Sequence, residues 1–104
     1  MGGKQEDSPV RLVEPDEIRE RFNKSGLFER VMQGELETVL EDDRLVRDEV
    51  GLPRGARSQM VWYLGPDGQK LVLVHQYLLP DGTIGGSGRP DPKRMILEDE
   101  VIIC

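Results

Sequence analysis

Residues 60–82 read MVWYLGPDGQKLVLVHQYLLPDG, two short apolar runs that are each closed by the tripeptide Pro-Asp-Gly. The two tripeptides, at residues 66–68 and 80–82, are separated by the length of one strand and one turn. Proline presets φ at the first central position of a turn, aspartate can bond its own backbone at the second, and glycine tolerates the positive φ that follows. The repeat therefore predicts two chain reversals and a β-meander around them.

Alternation of side chains with a period of two predicts the strands on either side of the first turn. In the first strand, Met60, Trp62 and Leu64 share one face, and Val61 and Tyr63 share the other. The second strand, between residues 70 and 79, has two mostly apolar faces, which indicates a central strand with a cover on at least one side. Its two faces are Leu71, Leu73, His75, Tyr77 and Leu79 on one side, and Val72, Val74, Gln76 and Leu78 on the other.

The sequence after the second turn predicts a loop and two short strands. Residues 83–84 could begin a third strand, but the glycines and prolines of residues 85–92 cannot sustain regular pairing. Residues 94–97 and 101–104 are apolar enough for two last strands, or for one bent strand, separated by an acidic turn.

The N-terminal half carries helix signals. Pro15 suits the first helical position, and Ile18 and Phe22 lie four residues apart on one face. Ser25-Gly26 interrupts this pattern, and a second helix is predicted to end near Gly34. Residues 35–50 are also predicted to be helical from the spacing of their apolar residues, although three consecutive acids interrupt the apolar face. Residues 51–58 form a loop that joins the two halves.

These elements predict an α+β fold, with helices over about 15–50 packed on an antiparallel β-meander over about 59–104. A chain of 104 residues suffices for one domain with a modest core. We expect residues 1–10 to be a disordered tail and residues 11–104 to form the domain.

Charge is unevenly distributed along the chain. The formal net charge is -6, yet residues 51–94 hold six Lys and Arg against three Asp and Glu. An acidic total argues against broad nucleic-acid binding, whereas the basic middle could still bind an anion. The single cysteine, Cys104, allows no internal disulfide and no zinc cluster, which favours a cytoplasmic setting. The sequence has no membrane-spanning run and no motif for a cofactor or a metal.

His75 is the only histidine, and Tyr77 lies two residues away on the same predicted face. Histidine is the side chain whose ordinary pKa places its titration near neutrality, so His75 is a candidate general base with Tyr77 as an acid or orienting group. The alternative is a partly buried histidine held by one hydrogen bond.

The glycine-rich segment after the second turn is a candidate anion site. Successive glycine amides can form an anion-binding nest, and arginine can bind phosphate with two parallel hydrogen bonds. The segment lacks the lysine-serine pair of a phosphate-binding loop, and prolines stand where a helix would begin. The alternative is a flexible connection. The predicted anion-binding residues are Gly86, Ser87, Gly88, Arg89, Lys93 and Arg94.

Two functions follow from these residues. The first is an interaction module that uses its sheet or its basic loop to bind a protein or a small anion, with Trp62, Met60 and Tyr63 as apolar anchors on an edge strand. The same edge could instead form a homodimer. The second is a metal-independent nuclease in which His75 acts as base and the cations of residues 89–94 bind RNA phosphate.

Overall fold

A computed structural model describes residues 9–47 and 51–104 and places two short helices before most of a six-stranded sheet. The predicted α+β class is confirmed. Residues 1–8 of the predicted tail lie outside the described residues, and Val10 already belongs to a strand. The elements are β1 (Val10–Leu12), α1 (Pro15–Ser25), α2 (Leu27–Met32), β2 (Glu37–Leu45), β3 (Arg57–Leu64), β4 (Lys70–Leu78), β5 (Asp91–Ile96) and β6 (Val101–Ile103).

The strands follow the order β1-β6-β5-β4-β3-β2 across the sheet. The pairs from β2 to β6 are antiparallel, and only β1 runs parallel to its neighbour, β6. Strand β4 therefore has a partner on both sides, as its two apolar faces predict. Strands β1 and β2 are the edges.

Both Pro-Asp-Gly segments reverse the chain as predicted. Gly68 has a φ of 84° and Gly82 a φ of 89°, values that glycine adopts without steric cost. In each turn the glycine N–H donates to the carbonyl three residues earlier, from Gly68 to Gly65 and from Gly82 to Leu79, at 2.9 Å in both cases. The first turn joins β3 to β4. After the second turn the chain makes one isolated bridge, between Leu78 and Ile84, in place of a full strand.

The helical prediction for residues 35–50 is wrong, because residues 37–45 form β2. Gly34, with a φ of 80°, follows the end of α2, and β2 then pairs with β3 along almost its whole length. Backbone pairing with β3 thus outweighs the helical spacing of a few apolar residues, which is a weak signal on its own. Residues 48–50 of this prediction lie outside the described residues. Because β2 occupies the edge, Trp62 lies on an inner strand and not on the edge strand that we predicted.

The helices pack on one face of the sheet, here called the covered face. The predicted break between them is confirmed at Gly26, which has a φ of 73°. Ile18 and Phe22 of α1 are almost fully buried there against residues of the inner strands. The core comprises Ile18, Phe22, Val61, Tyr63, Val72, Val74, Met95 and Ile102.

The opposite side of the sheet, here called the open face, carries no helix in the described part of the chain. Residues paired across neighbouring strands project to the same side of a sheet. One row of such partners crosses all six strands: Val39, Trp62, Leu73, Arg94, Ile103 and Leu12. A shorter row beside it consists of Ile96, Val101 and Val10. These nine residues define the open face.

Candidate functional site

His75 lies on β4 opposite Met60 and Asp91, and its ring is half-buried. Its Nε2 atom is 2.8 Å from the hydroxyl oxygen of Ser58 on β3. The ring of Tyr77 stands edge-on to it, with centroids 4.8 Å apart. The structure thus brings the two predicted catalytic side chains together. The hydrogen bond to Ser58 also fits the alternative interpretation, in which His75 is a partly buried residue held by one hydrogen bond.

The surroundings of His75 lower its pKa from the ordinary value of 6.5. Burial of the ring is the main cause, the positive charge of Lys93 adds to it, and the negative charge of Asp91 opposes both. The imidazole is therefore neutral at pH 7. A neutral imidazole can accept a proton, so its charge state suits a general base.

A cavity of about 570 Å³ lies beside His75, between the end of β4, helix α1 and the glycine-rich segment. Five of the predicted site residues line it, namely His75, Tyr77, Gly86, Ser87 and Arg89. Gly88, Lys93 and Arg94 do not line it. Sequence reasoning missed Arg19 and Asn23 of α1, which also line the cavity, because only the fold brings α1 to this end of the sheet.

Carboxylates neutralise most of the cations that were predicted to bind an anion. Arg89 pairs with Glu29 at 2.8 Å and stacks over the ring of Phe28, with its guanidinium carbon 4.7 Å from the centroid. Lys93 pairs with Asp91 at 3.0 Å, and Arg19 approaches the same carboxylate at 3.4 Å. An anion entering this cavity would have to compete with these ion pairs.

The glycine-rich segment is shorter than predicted. Strand β5 begins at Asp91, so Lys93 belongs to the sheet and not to a loop, and Arg94 lies in the strand that was predicted over residues 94–97. Three of the loop amides are already engaged: the N–H of Gly85 donates to the carbonyl of Tyr77, that of Gly88 to the carbonyl of Gly85, and that of Arg89 to the hydroxyl of Ser87. Fewer amides are therefore left for an anion than the sequence suggested.

Arg94 occupies the open face, where Leu73 and Ile103 are its partners on the neighbouring strands. Within the described part of the chain, its guanidinium makes no ion pair and no side-chain hydrogen bond. Lys70 also makes no ion pair with the described residues, and its ammonium lies over the ring of Trp62, at 4.9 Å from the centroid. Two cations without carboxylate partners thus border an apolar surface.

The two edges of the open face are exposed to solvent, whereas Leu73 near its middle is buried. Leu12 is 77% exposed, Val10 is 62% exposed and Val39 is 48% exposed. Trp62 is buried, because Lys70 covers its ring and Glu41 accepts a hydrogen bond from its indole N–H. An open cavity of about 660 Å³ at one end of this face is lined by Leu71, Ile96 and Val101, among others. Large apolar surfaces of this kind mark interaction sites in soluble proteins.

Three further observations limit the functions that this structure can support. In residues 9–47 and 51–104, no group of three or more His, Cys, Asp and Glu side chains could hold a metal ion. No described helix is long and apolar enough to cross a membrane. Comparison with known proteins gave no matching family model, no matching curated protein and no matching solved structure.

The lowered pKa of His75 predicts a dependence of stability on pH. In the unfolded chain His75 has its ordinary pKa, so on acidification the unfolded state takes up the proton first. The contribution of neutral His75 to the free energy of unfolding is complete above about pH 6.5. It is lost as the pH falls through the pKa that His75 has in the folded state. We expect His75→Gln to lose less stability than wild type between pH 7 and pH 5 in urea unfolding. Identical pH profiles for the two proteins would contradict this.

Proposed function

We propose that this protein is an interaction module whose open face binds an acidic amphipathic helix of another protein. The observation that carries the proposal is the row from Val39 to Leu12, which is apolar across six strands except for Arg94. A sheet that carries helices on one face buries its other apolar face against a further layer. A partner would supply that layer. The single cysteine supports a cytoplasmic setting for this binding.

The dimensions of the open face suit a helix. Six strands spaced about 4.8 Å apart give a width of about 24 Å, and a helix with its side chains is about 10 Å across. A helix of about four turns would therefore cross the whole row of apolar residues. Its apolar stripe, with residues three and four apart, would lie on the solvent-accessible residues of the row, Val39, Ile103 and Leu12.

Two cations of the open face favour a partner with carboxylates, while the carboxylate of Glu41 on the same face is engaged by the indole N–H of Trp62. Arg94 and Lys70 have no carboxylate partner within the described part of the chain, so Glu or Asp residues flanking the stripe of the partner could pair with them. A second copy fits this face less well. Strand β5 is next to the middle of the sheet, so a two-fold arrangement would bring Arg94 near its own copy.

A homodimer through the β2 edge is also disfavoured by charge. Glu37, Asp42 and Asp43 lie along this edge, and Glu41 forms a bulge between two paired segments. Acidic side chains and bulges on an edge strand oppose pairing with an identical strand. We therefore propose a partner of different sequence.

The experiment compares two designed helical peptides of about 18 residues with the same leucine pattern, one with Glu at the flanking positions and one with Lys. Trp62 on the open face reports binding through its fluorescence. We expect the Glu peptide to bind about tenfold more tightly than the Lys peptide, because two partly exposed ion pairs distinguish them. A Glu peptide with its leucines replaced by serine is the control and should not bind.

Equal affinities, or tighter binding of the Lys peptide, would contradict the proposed function. Sedimentation of the protein without peptide is measured in parallel. A doubled mass that the Glu peptide does not dissociate would show that a second copy occupies the face instead.

A second candidate function is metal-independent RNA cleavage, and the joint placement of His75 and Tyr77 in one cavity favours it. A neutral His75 could take the proton of a 2′-hydroxyl, and Arg89 could contact phosphate after leaving Glu29. Incubation of wild type and His75→Ala with short RNA tests this candidate. Cleavage that His75→Ala abolishes would support it, whereas equal or undetectable cleavage in both proteins would rule it out.

A further inference from the structure

A groove of about 660 Å³ lies on the covered face, beyond the part of the sheet that α1 covers. Helix α2 forms one wall, strands β2, β3 and β4 form the floor, and the residues after the second Pro-Asp-Gly turn close one end. The groove is on the opposite side of the sheet from the open face, so its role is independent of the function proposed above. Its lining residues are Phe28, Val31, Met32, Thr38, Leu40, Gln59, Val61, Tyr63, Gln76, Leu78, Gly82, Thr83, Ile84 and Gly88.

None of these lining residues carries a charge. Two charged groups outside this lining, Glu29 and Arg89, act on the phenol of Tyr63. They form an ion pair with each other, at 2.8 Å, and so offer little net charge to a ligand. A charged ligand would lose its hydration in this groove without gaining a partner of opposite charge.

Tyr63 supplies a hydrogen-bonding group at the floor of the groove. The residue is 2% exposed, and burial raises the pKa of its hydroxyl to about 12, so the hydroxyl stays protonated at neutral pH. It makes no hydrogen bond within the described part of the chain. No fully buried side-chain N or O atom there lacks a partner, so this unpaired hydroxyl keeps some exposure, and Tyr63 lines the groove.

Gln76 supplies a second polar group. Its amide donates to Gln59 at 2.9 Å, and the Gln59 amide donates to Asp43 at 3.3 Å. This chain of bonds fixes the orientation of the Gln76 amide and leaves its own carbonyl oxygen without a donor from the described residues. The floor thus offers a donor at Tyr63 and an acceptor at Gln76 among apolar walls.

We propose that this groove binds a neutral, mostly apolar small molecule that carries a hydroxyl or carbonyl group. The volume falls in the range of about 300–1,000 Å³ that small-molecule sites occupy, and the lining has their usual combination of apolar walls with a few oriented polar groups. The apolar part of the ligand lies against α2 and Leu40. Its polar group meets the Tyr63 hydroxyl.

The experiment measures binding of Nile red, a neutral dye with a carbonyl group, and its displacement by 1-decanol and by decanoate. The two competitors share a ten-carbon chain and differ in charge. We expect decanol to displace the dye at a concentration at least about tenfold lower than decanoate, because the groove has no cation for the carboxylate. Tyr63→Phe should weaken the binding of decanol about fivefold, because one hydrogen bond to the ligand is lost.

Two matched variants locate the bound dye. Met32 and Leu12 are both exposed apolar residues, at 66% and 77%, but Met32 lines the groove and Leu12 lies on the open face. We expect Met32→Glu to lose dye binding and Leu12→Glu to retain it. Circular dichroism establishes that each variant is folded.

Three outcomes would overturn the proposal. The first is no dye binding by folded wild type, and the second is displacement by decanoate as strong as that by decanol. The third is loss of dye binding in Leu12→Glu with retention in Met32→Glu, which would place the dye on the open face.

Discussion

Phe22→Ala is expected to lower the free energy of unfolding by about 3–5 kcal/mol, the range for removal of a buried aromatic ring from a core. Phe22 is fully buried, and its ring centroid lies 6.1 Å from that of Tyr63. With Ile18 it attaches α1 to the sheet, so its loss leaves a cavity between the two layers. Because a domain has only about 5–15 kcal/mol of stability in total, this loss is a large fraction of it.

Urea unfolding followed by circular dichroism measures this change. Met32→Ala is the matched control on the neighbouring helix, because Met32 is 66% exposed and should change stability by less than about 0.5 kcal/mol. If Phe22→Ala lost no more stability than Met32→Ala, α1 would not be packed on the covered face as described.

Arg94→Glu is expected to reverse the preference of the open face for designed peptides. In wild type the guanidinium favours the Glu peptide, whereas a carboxylate at this position would repel it and attract the Lys peptide. The ratio of the two affinities should change by about thirtyfold or more, since a favourable pair is replaced by a like-charge contact. The Trp62 fluorescence titration that measures wild type also measures the variant.

Arg30→Glu provides the control for net charge. Arg30 lies on α2, where it pairs with Glu35 at 3.2 Å, and its replacement changes the total charge by the same amount as Arg94→Glu. We expect Arg30→Glu to keep the wild-type preference for the Glu peptide. An equal change in the affinity ratio of the two peptides in both variants would mean that the overall charge, and not the position of Arg94, decides binding.

The sequence predicts those turns, helices and strands that are determined by residues close together in the chain. Pro-Asp-Gly fixes two turns because proline and glycine restrict or permit particular backbone angles wherever they occur. The break between α1 and α2 is predicted for the same reason, from Gly26. The alternation along β4 is long enough to indicate its central position without knowledge of its neighbours.

Strand β2 and the environment of His75 depend on pairing between distant segments, which sequence patterns do not contain. Residues 37–45 become a strand only because β3 offers its edge to them. Ser58 meets His75 only in the register of β3 with β4, and Glu29 meets Arg89 across 60 residues of sequence. The sequence could therefore identify His75, Tyr77 and the cations as candidates, but not the groups that orient or neutralise them.

Methyl NMR of the protein with the Glu peptide tests most directly whether the open face is the binding surface. Binding at the open face should change the chemical shifts of Leu12, Val39 and Ile103, while those of Val61 and Val74 on the covered face stay constant. Changes confined to the covered face, or no change at peptide concentrations that saturate the fluorescence signal, would contradict the proposed function.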